Sequence, residues 1–444
     1  MAIPTSSMRS RVGSLLRHGY RRSHLLRWAH GLTTRSHWRQ IHTRDSCVYG
    51  SNLRPFVGDL IGRMVGARPS SGHMVEHFES TLAALLDVTQ LVSFSSGRNS
   101  FRAILHALEI GAGDEVILPG FTCVVVPYTI LQCGATPVYV DIRSDYRMDP
   151  EALSAALTPR TKAIIAQHTF GLPERITDIM TLARERGIRV IEDCAHVLPG
   201  SAHDEKSLGT WGDAAYFSFE RGKTISSGWG GAAVTRDESL GRRLAQIQQE
   251  VPSLSREDNL RIGVRLLLTI LVHHPGLFAL GSLVRGSLAR RGIFPNTMPL
   301  TECRGEPPSQ LFGRLADTQA TLLLCQMQRL PSITAHRRSC VQALSKSLVG
   351  PSVDLPLMWY PFQVANAQEA VEYFRRHQIE LRRWQAPLTP PNCDTARARY
   401  QWGSCPKAEE ISRGCVALPT MLERADLEWV IDVGSRYLDR IQIE

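Results

Sequence analysis

Two stretches, GIRVIEDCAH (residues 187–196) and GDAAYFSFERGK (residues 212–223), set the architecture of this 444-residue chain. Each pairs an apolar run of strand length, 189–193 and 214–219, with reactive residues at its end. Continuous apolar runs of this length mark strands buried on both faces of a largely parallel sheet. On either side, similar runs recur at 91–95, 115–118, 137–142, 163–168 and 231–235, separated by helical periods such as 100–109 and 176–186. Strands alternating with helices predict an α/β layered domain with seven strands. After residue 309 the pattern changes. Helices are expected at 315–330, 333–348, 367–377 and 424–441, with an extended stretch at 359–364 and a Pro-rich loop at 387–392. That reads as a smaller α+β domain. The expected organisation is a basic extension at 1–45, a large domain at 46–250, an insertion at 251–308 and a small domain at 309–444.

Composition narrows the class. Hydrophobic residues make up 43% and charged residues 21%, which fits a globular protein and excludes a collagenous or wholly disordered chain. The net charge of +9 is unevenly placed. Residues 1–44 hold nine Arg and no acid, and without them the chain has 42 basic and 42 acidic residues. The basic excess therefore describes a tail and gives no reason to expect a nucleic-acid partner. Ten scattered Cys without a C-x-x-C pair point to a reducing compartment, the cytoplasm.

The N-terminal stretch lacks the apolar core of a secretory signal. It has the composition of a transit peptide, of a basic arm on anionic lipid, or of a plain extension. A second acid-free stretch, 259–301, contains IGVRLLLTILVHHPGLFALGSLV (262–284). Its unbroken apolar pieces are too short to span a bilayer, and Pro275-Gly276 is a turn signal. A helical hairpin is expected, either packed in a core or interface or lying peripherally on the membrane.

Three strand ends carry candidate chemistry. Ser95-Ser96-Gly97-Arg98-Asn99-Ser100 follows a strand and opens a helix, where backbone N–H groups can cradle a phosphate. Glu192-Asp193-Cys194-Ala195-His196 ends a strand; a carboxylate there either bonds loop amides or holds a cationic ring nitrogen. Lys223 follows a buried strand in a chain where only five of 51 basic residues are Lys. Lys, unlike Arg, can give up its proton and bond a carbonyl carbon. His168 sits at another strand end and reads as structural. His273-His274 is no metal pair, since adjacent residues do not share a helix face. No metal site is expected, and no H-E-x-x-H, P-loop or G-x-S-x-G is present. In order, the three strand ends offer a phosphate cup, an acid and an amine, the parts that pyridoxal phosphate requires.

With these residues in that order, the chain resembles the DegT/StrS-type sugar aminotransferases, a family of fold-type-I pyridoxal-phosphate enzymes. The stretches that carry the likeness are SSGRNSF, GAGDEVILPGFTCVVVPYTILQCGATPVYVDI, QHTFGLP, GIRVIEDCAH, GDAAYFSFERGK, GWGGAAVT, GRLADTQATLLLCQMQRL and CPKAEEISRGCVALP. The resemblance implies that Lys223 bonds the cofactor aldehyde and shuttles a proton. It implies that Asp193 pairs with the ring nitrogen and that His196 contacts the ring hydroxyl. Gly97 and Arg98 would give N–H groups to the phosphate, and Ser218 a hydroxyl. It further implies a homodimer, an amino donor such as glutamate, and a keto-sugar nucleotide as acceptor, in amino-sugar or surface-polysaccharide synthesis.

Three positions depart from the family pattern. Arg98 stands where Thr or Ser is usual. Cys123 takes the place of the ring-stacking aromatic, which leaves Phe121 as the candidate for stacking. Phe312 replaces an Asn that reaches the partner subunit. Two other readings follow from these departures. One is another reaction on the same cofactor, such as sugar dehydration or amination of a different ketone. The other is a non-catalytic, membrane-associated scaffold that binds the cofactor. Lys223 speaks against the dehydration, since dehydratases of the family carry His there, and Lys223 with Asp193 speaks against the scaffold.

Overall fold

The computed structural model describes residues 53–66, 72–252, 254–272, 313–384, 387–389 and 394–443. By internal contacts the chain divides into Met1–Ile41 and His42–Glu444, and every described residue belongs to the second unit. The basic extension, the 273–301 part of the apolar segment and Phe312 lie outside the described residues.

Helices α1 (Arg54–Met64) and α2 (His73–Leu86) precede the first strand, β1 (Gln90–Phe94). Then come α3 (Gly97–Ala107), β2 (Glu115–Pro119), α4 (Val125–Gln132) and β3 (Thr136–Val140). They lead to α5 (Pro150–Ala156), β4 (Thr161–Gln167), α6 (Ile176–Arg186), β5 (Arg189–Asp193), β6 (Ala214–Ser218) and β7 (Gly231–Thr235). All seven strands fall on the runs expected from the sequence, within two residues at each end. They form one sheet of order β1-β7-β6-β5-β4-β2-β3. β7 is antiparallel to both β1 and β6, and the other neighbours are parallel. Two antiparallel steps return β1 to the direction of β6. The ends of β1, β4, β5 and β6 therefore meet at one edge, where open α/β sheets bind ligands.

Alternate residues show why the runs are continuous. Val116 and Leu118 pack with Phe101 and Ile104, while Ile117 between them packs with Ile164, Ile176 and Val190. The sheet is thus covered on both faces. A further cluster joins Phe78 and Leu82 of α2 to Phe217, Ala232 and Leu323.

After β7 come α7 (Glu238–Glu250), α8 (Arg256–Val272), α9 (Asp317–Met327) and α10 (Leu330–Ser347). Helix α8 is the described half of the expected hairpin. It packs against α1 and α9, with Leu266 buried beside Phe56 and Leu322. Gly263 sits so close to Leu60 that an added Cβ would lie 2.7 Å from its Cδ1. The Arg63 guanidinium, buried between α1 and α9, lies 2.8 Å from Asp59 and 3.4 Å from Asp317. Asp317 also accepts from the N–H of Gly72, Met74 and Val75 at the start of α2. Among the described residues no helix is long and apolar enough to cross a membrane.

The C-terminal segment holds β8 (Trp359–Gln363), α11 (Ala367–Arg376), β9 (Arg382–Arg383), α12 (Pro406–Gly414), β10 (Cys415–Pro419) and α13 (Arg424–Ile443). β10 lies between β8 and β9 in an antiparallel sheet. Asp141, just beyond β3, accepts from the N–H groups of Lys407 and Ala408 and so caps α12. Leu388–Thr389 pairs with Thr122–Cys123. That pairing brings the C-terminal segment over the ligand-binding edge of the sheet.

Candidate active site

The first wall of the site is the start of α3. Ser96 caps the helix, its hydroxyl accepting from the Asn99 N–H at 3.2 Å. Gly97 is pressed onto the end of β6, and a Cβ there would lie 2.8 Å from the Ser218 Cβ. A Cβ on Gly231 would lie 2.5 Å from the Gly97 nitrogen. Only glycine allows these three strand ends to converge. The result is a helix N-terminus open to a cavity, with the Ser218 side chain beside it, which suits an anion.

The second wall is the end of β5. Glu192 and Asp193 take separate roles, and the two readings of this acidic pair are thereby divided. Glu192 is fully buried and accepts from the N–H groups of Gly209, Trp211 and Gly212. Asp193 lines the cavity, with one oxygen accepting from the Ala195 N–H at 2.9 Å. Burial pushes the Asp193 carboxyl upward from its ordinary range; the Tyr216 hydroxyl, the Ala195 amide, Lys223 and His168 oppose that shift. A buried acid of this kind gains from a cationic partner.

His196 lies across the cavity. Its Nδ1 accepts from the Phe170 N–H at 3.1 Å, which assigns the ring proton to Nε2. Burial, and then Lys223, hold its pKa well below the ordinary histidine value, so the ring is neutral. A neutral ring with Nε2–H donates to an oxygen without bringing a charge.

Lys223 follows β6 in a turn closed by its own N–H to the Glu220 carbonyl at 3.1 Å. Its side chain lines the cavity, near enough to act electrostatically on Asp193, His196 and Cys123. Arg98 and Glu220 line the same wall. Burial draws the Arg98 pKa down and the Glu220 charge counters it. Cys123 also lines it, and burial pushes its thiol pKa up, so the group stays protonated.

The cavity has a volume of about 270 Å³. It gathers Gly97, Arg98, Asp193, His196, Ser218 and Lys223, the expected site residues with one exception. Phe121 does not line it. Its ring is fully buried and stacks on Trp384 at 4.5 Å between centroids, with Tyr146 and Phe170 beside it. The reason is local. Gln167 donates to the Phe121 carbonyl and bonds the Thr122 hydroxyl, which turns the Phe121 ring back into the core. Trp384 faces the cavity instead.

Sequence reasoning missed Trp384, Gln167, Glu220 and Tyr216 as cavity residues. Tyr216 left a faint signal as a phenol inside an apolar run. Trp384 left none, because it arrives from more than 150 residues downstream. His168 touches the cavity but is held from both sides. Its Nε2 lies 3.1 Å from Glu192, and its Nδ1 accepts from the Glu174 N–H at 3.0 Å. His168, Glu192 and Cys194 cluster closely, yet protein amides and His168 already satisfy both Glu192 oxygens.

Comparison with known proteins now bears on this geometry. The family model of the DegT/DnrJ/EryC1/StrS aminotransferases matches residues 63–264. Over these residues the chain is similar to that family. The chain is 43% identical over 175 residues to UDP-N-acetyl-3-dehydro-alpha-D-glucosamine 3-aminotransferase of Acidithiobacillus ferrooxidans, covering 39% of this chain and 47% of that protein. It is 28% identical over 379 residues to dTDP-3-amino-3,6-dideoxy-alpha-D-galactopyranose transaminase of Aneurinibacillus thermoaerophilus, covering 82% and 90%. Over its stretches of highest identity the chain spans about half the length of its curated relatives. Among solved structures, S. venezuelae DesV superposes with a TM-score of 0.65 at 25% identity, over 87% of this chain and 95% of that one. An aminotransferase from Psychrobacter cryohalolentis gives 0.67 at 21%, over 88% and 98%. The fold is therefore that of the fold-type-I pyridoxal-phosphate enzymes.

The donor set of the cavity fits pyridoxal phosphate. A helix N-terminus cleared by Gly97 suits the phosphate, a buried carboxylate suits a protonated ring nitrogen, and Lys223 shares their cavity.

Proposed function

We propose that the chain is a pyridoxal-phosphate-dependent aminotransferase that moves an amino group, from a donor such as glutamate, to a keto-sugar nucleotide. The observation that carries the reading is the convergence of Lys223, Asp193 and the Gly97 helix start on one cavity. The relatives named above, several of them transaminases of nucleotide sugars, support the substrate class.

Gly97 and Arg98 present backbone N–H groups, and Ser218 a hydroxyl, to the phosphate. Asp193 would hold the proton on the ring nitrogen, and His196 would donate from Nε2 to the ring oxygen. Pyridoxal phosphate, when bound, supplies an aldehyde that captures amines and a ring that accepts an electron pair. Lys223 would be the amine that holds this aldehyde and the base that moves the substrate proton. Trp384 and the aromatic cluster behind it keep water from that wall. We further propose that the protein works as a homodimer, in amino-sugar or polysaccharide synthesis at the cytoplasmic side, with the 1–45 and 259–301 segments available for peripheral membrane contact.

The test is an absorption spectrum of the purified protein with pyridoxal phosphate, before and after glutamate, beside Lys223→Ala. The reading expects a visible band that moves to the near-ultraviolet with glutamate in the wild type and not in the variant. A protein that takes up the cofactor but shows no shift with glutamate would favour the scaffold reading, and one that takes up none would overturn the cofactor reading. Conversion without net amino transfer to any keto-sugar nucleotide would favour another keto substrate or a dehydration.

A further inference from the structure

Tyr216 and Asp193 are register partners on the adjacent parallel strands β6 and β5. Their side chains therefore rise from the same face of the sheet. The backbone locks this pairing, because the Cys194 N–H donates to the Tyr216 carbonyl at 3.0 Å. The Tyr216 ring is fixed too, stacked on Phe101 with centroids 4.9 Å apart and planes at 28°. That leaves the phenol only one freedom, rotation of its O–H. The hydroxyl is buried, lines the cavity wall and lies beside the Asp193 carboxyl, close enough to act on it as a hydrogen-bond donor. A buried hydroxyl needs such a partner, and the carboxylate is the one at hand.

Resting on the cofactor reading above, we infer that Tyr216 is a positioning residue for Asp193. Its O–H donates to the carboxylate oxygen that the Ala195 amide leaves open, so that Asp193 stays ionised and the proton stays on the cofactor ring. The other groups acting on Asp193 are accounted for. Lys223 and His168 favour the charged form, as does the Ala195 amide. The Cys194 thiol beside it is held neutral by burial. Of these, only Tyr216 is a hydrogen-bond donor fixed opposite Asp193 on the neighbouring strand.

The physical consequence has a sign. Without the phenol donor the carboxylate holds a proton more tightly and competes with the ring nitrogen for it. The ring then carries less positive charge, and the proton on the nitrogen joining Lys223 to the cofactor is released at higher pH.

The experiment compares wild type, Tyr216→Phe, Asp193→Asn and the double variant, each titrated with pyridoxal phosphate. Two readouts are taken: the dissociation constant from fluorescence quenching, and the pH midpoint of the visible band. Phe keeps the stack on Phe101, so a mere packing role moves neither readout. Loss of a hydrogen bond to a charged group predicts a dissociation constant weaker by about tenfold in Tyr216→Phe and a midpoint moved upward. The same substitution in the Asp193→Asn background has little further effect, because the partner is already gone. Two results overturn the inference: unchanged readouts in Tyr216→Phe, or full effects that persist in the Asp193→Asn background. A wild type that binds no cofactor overturns the underlying reading as well, and that outcome is separate because it appears before any variant is compared.

Discussion

Glu192 and Asp193 are consecutive on β5, and the pleat turns their carboxylates to different tasks, one tying the 209–212 loop and the other facing the cavity. Removing Glu192 takes the acceptor from the Gly209, Trp211 and Gly212 amides and the partner from His168 Nε2. Glu192→Ala is expected to cost about 3–5 kcal/mol of stability, read by urea unfolding. Asp193→Asn removes a charge that burial already disfavours. It should hold stability within about 1 kcal/mol while sharply weakening cofactor uptake. If the two variants behaved alike, the division of labour would be wrong.

Glycines at the cavity edge make a second pair of predictions. An added methyl at Gly97 meets the Ser218 Cβ at 2.8 Å and the Phe217 carbonyl at 3.2 Å. Gly97→Ala should fold and bind cofactor poorly, because the helix start moves away from β6. An added methyl at Gly231 meets the backbone of Ser96 and Gly97 at 2.5 Å. Gly231→Ala should lose about 1–3 kcal/mol of stability, together with cofactor affinity. Thermal melts and cofactor titrations on both proteins check this order.

The sheet was legible because strands covered on both faces leave continuous apolar runs, as Val116, Ile117 and Leu118 do. Asp193 and Lys223 were legible because each stands where such a run ends. Glu192 against Asp193 could not be settled from the sequence, since a strand run does not state which face meets the loop. Phe121 lies outside the cavity for a related reason. Its distance from Thr122 along the chain fits the cavity, but Gln167 grips the backbone there and reverses the ring. Trp384 was invisible because its place depends on Leu388–Thr389 pairing with Thr122–Cys123, a contact between distant parts of the chain that local patterns do not encode.

Glu174 gives the structure a pH signature apart from the chemistry. It is buried and accepts from the N–H groups of Met148 and Arg175. Burial outweighs those bonds and raises its carboxyl from 4.5 to about 7. A raised acid stabilises the fold fully below its unfolded value, and that contribution is lost as pH rises through the folded value. Between pH 4.5 and about 7 this one group should cost the fold on the order of 3 kcal/mol. Glu174→Gln should flatten that slope in urea unfolding at pH 4.5 and 7.5; an unchanged slope would assign it elsewhere.

Helix α8 offers a test of packing against lipid. Leu266 is 3% exposed and Leu271 is 45% exposed on the same helix. Leu266→Ala should cost about 2–5 kcal/mol, the range for emptying a buried leucine site. Leu271→Ser should stay within about 0.5 kcal/mol. Partitioning of the Leu271→Ser protein onto anionic vesicles separates the remaining possibilities. A drop relative to wild type would give this face a lipid role, and no change would leave α8 as a packing helix.

The last prediction concerns the ring that faces the cofactor cavity. Trp384 lines that cavity, while Phe121 stacks behind it. The indole is anchored by its backbone N–H to the Cys415 carbonyl at 3.2 Å and by its ring N–H to the Pro387 carbonyl at 3.4 Å. It also sits edge-on to His196, at 6.1 Å between centroids. Trp384→Ala opens one wall to water and releases His196, so cofactor affinity should fall by about tenfold, the equivalent of roughly 1.4 kcal/mol. Phe121→Leu removes a buried ring without exposing the cavity. It should lower stability by about 1–3 kcal/mol and leave the cofactor dissociation constant within about twofold, well under the tenfold that 1.4 kcal/mol represents. Cofactor titration and urea unfolding on both variants decide the matter. If Phe121→Leu lost cofactor while Trp384→Ala kept it, the ring-facing role would return to Phe121.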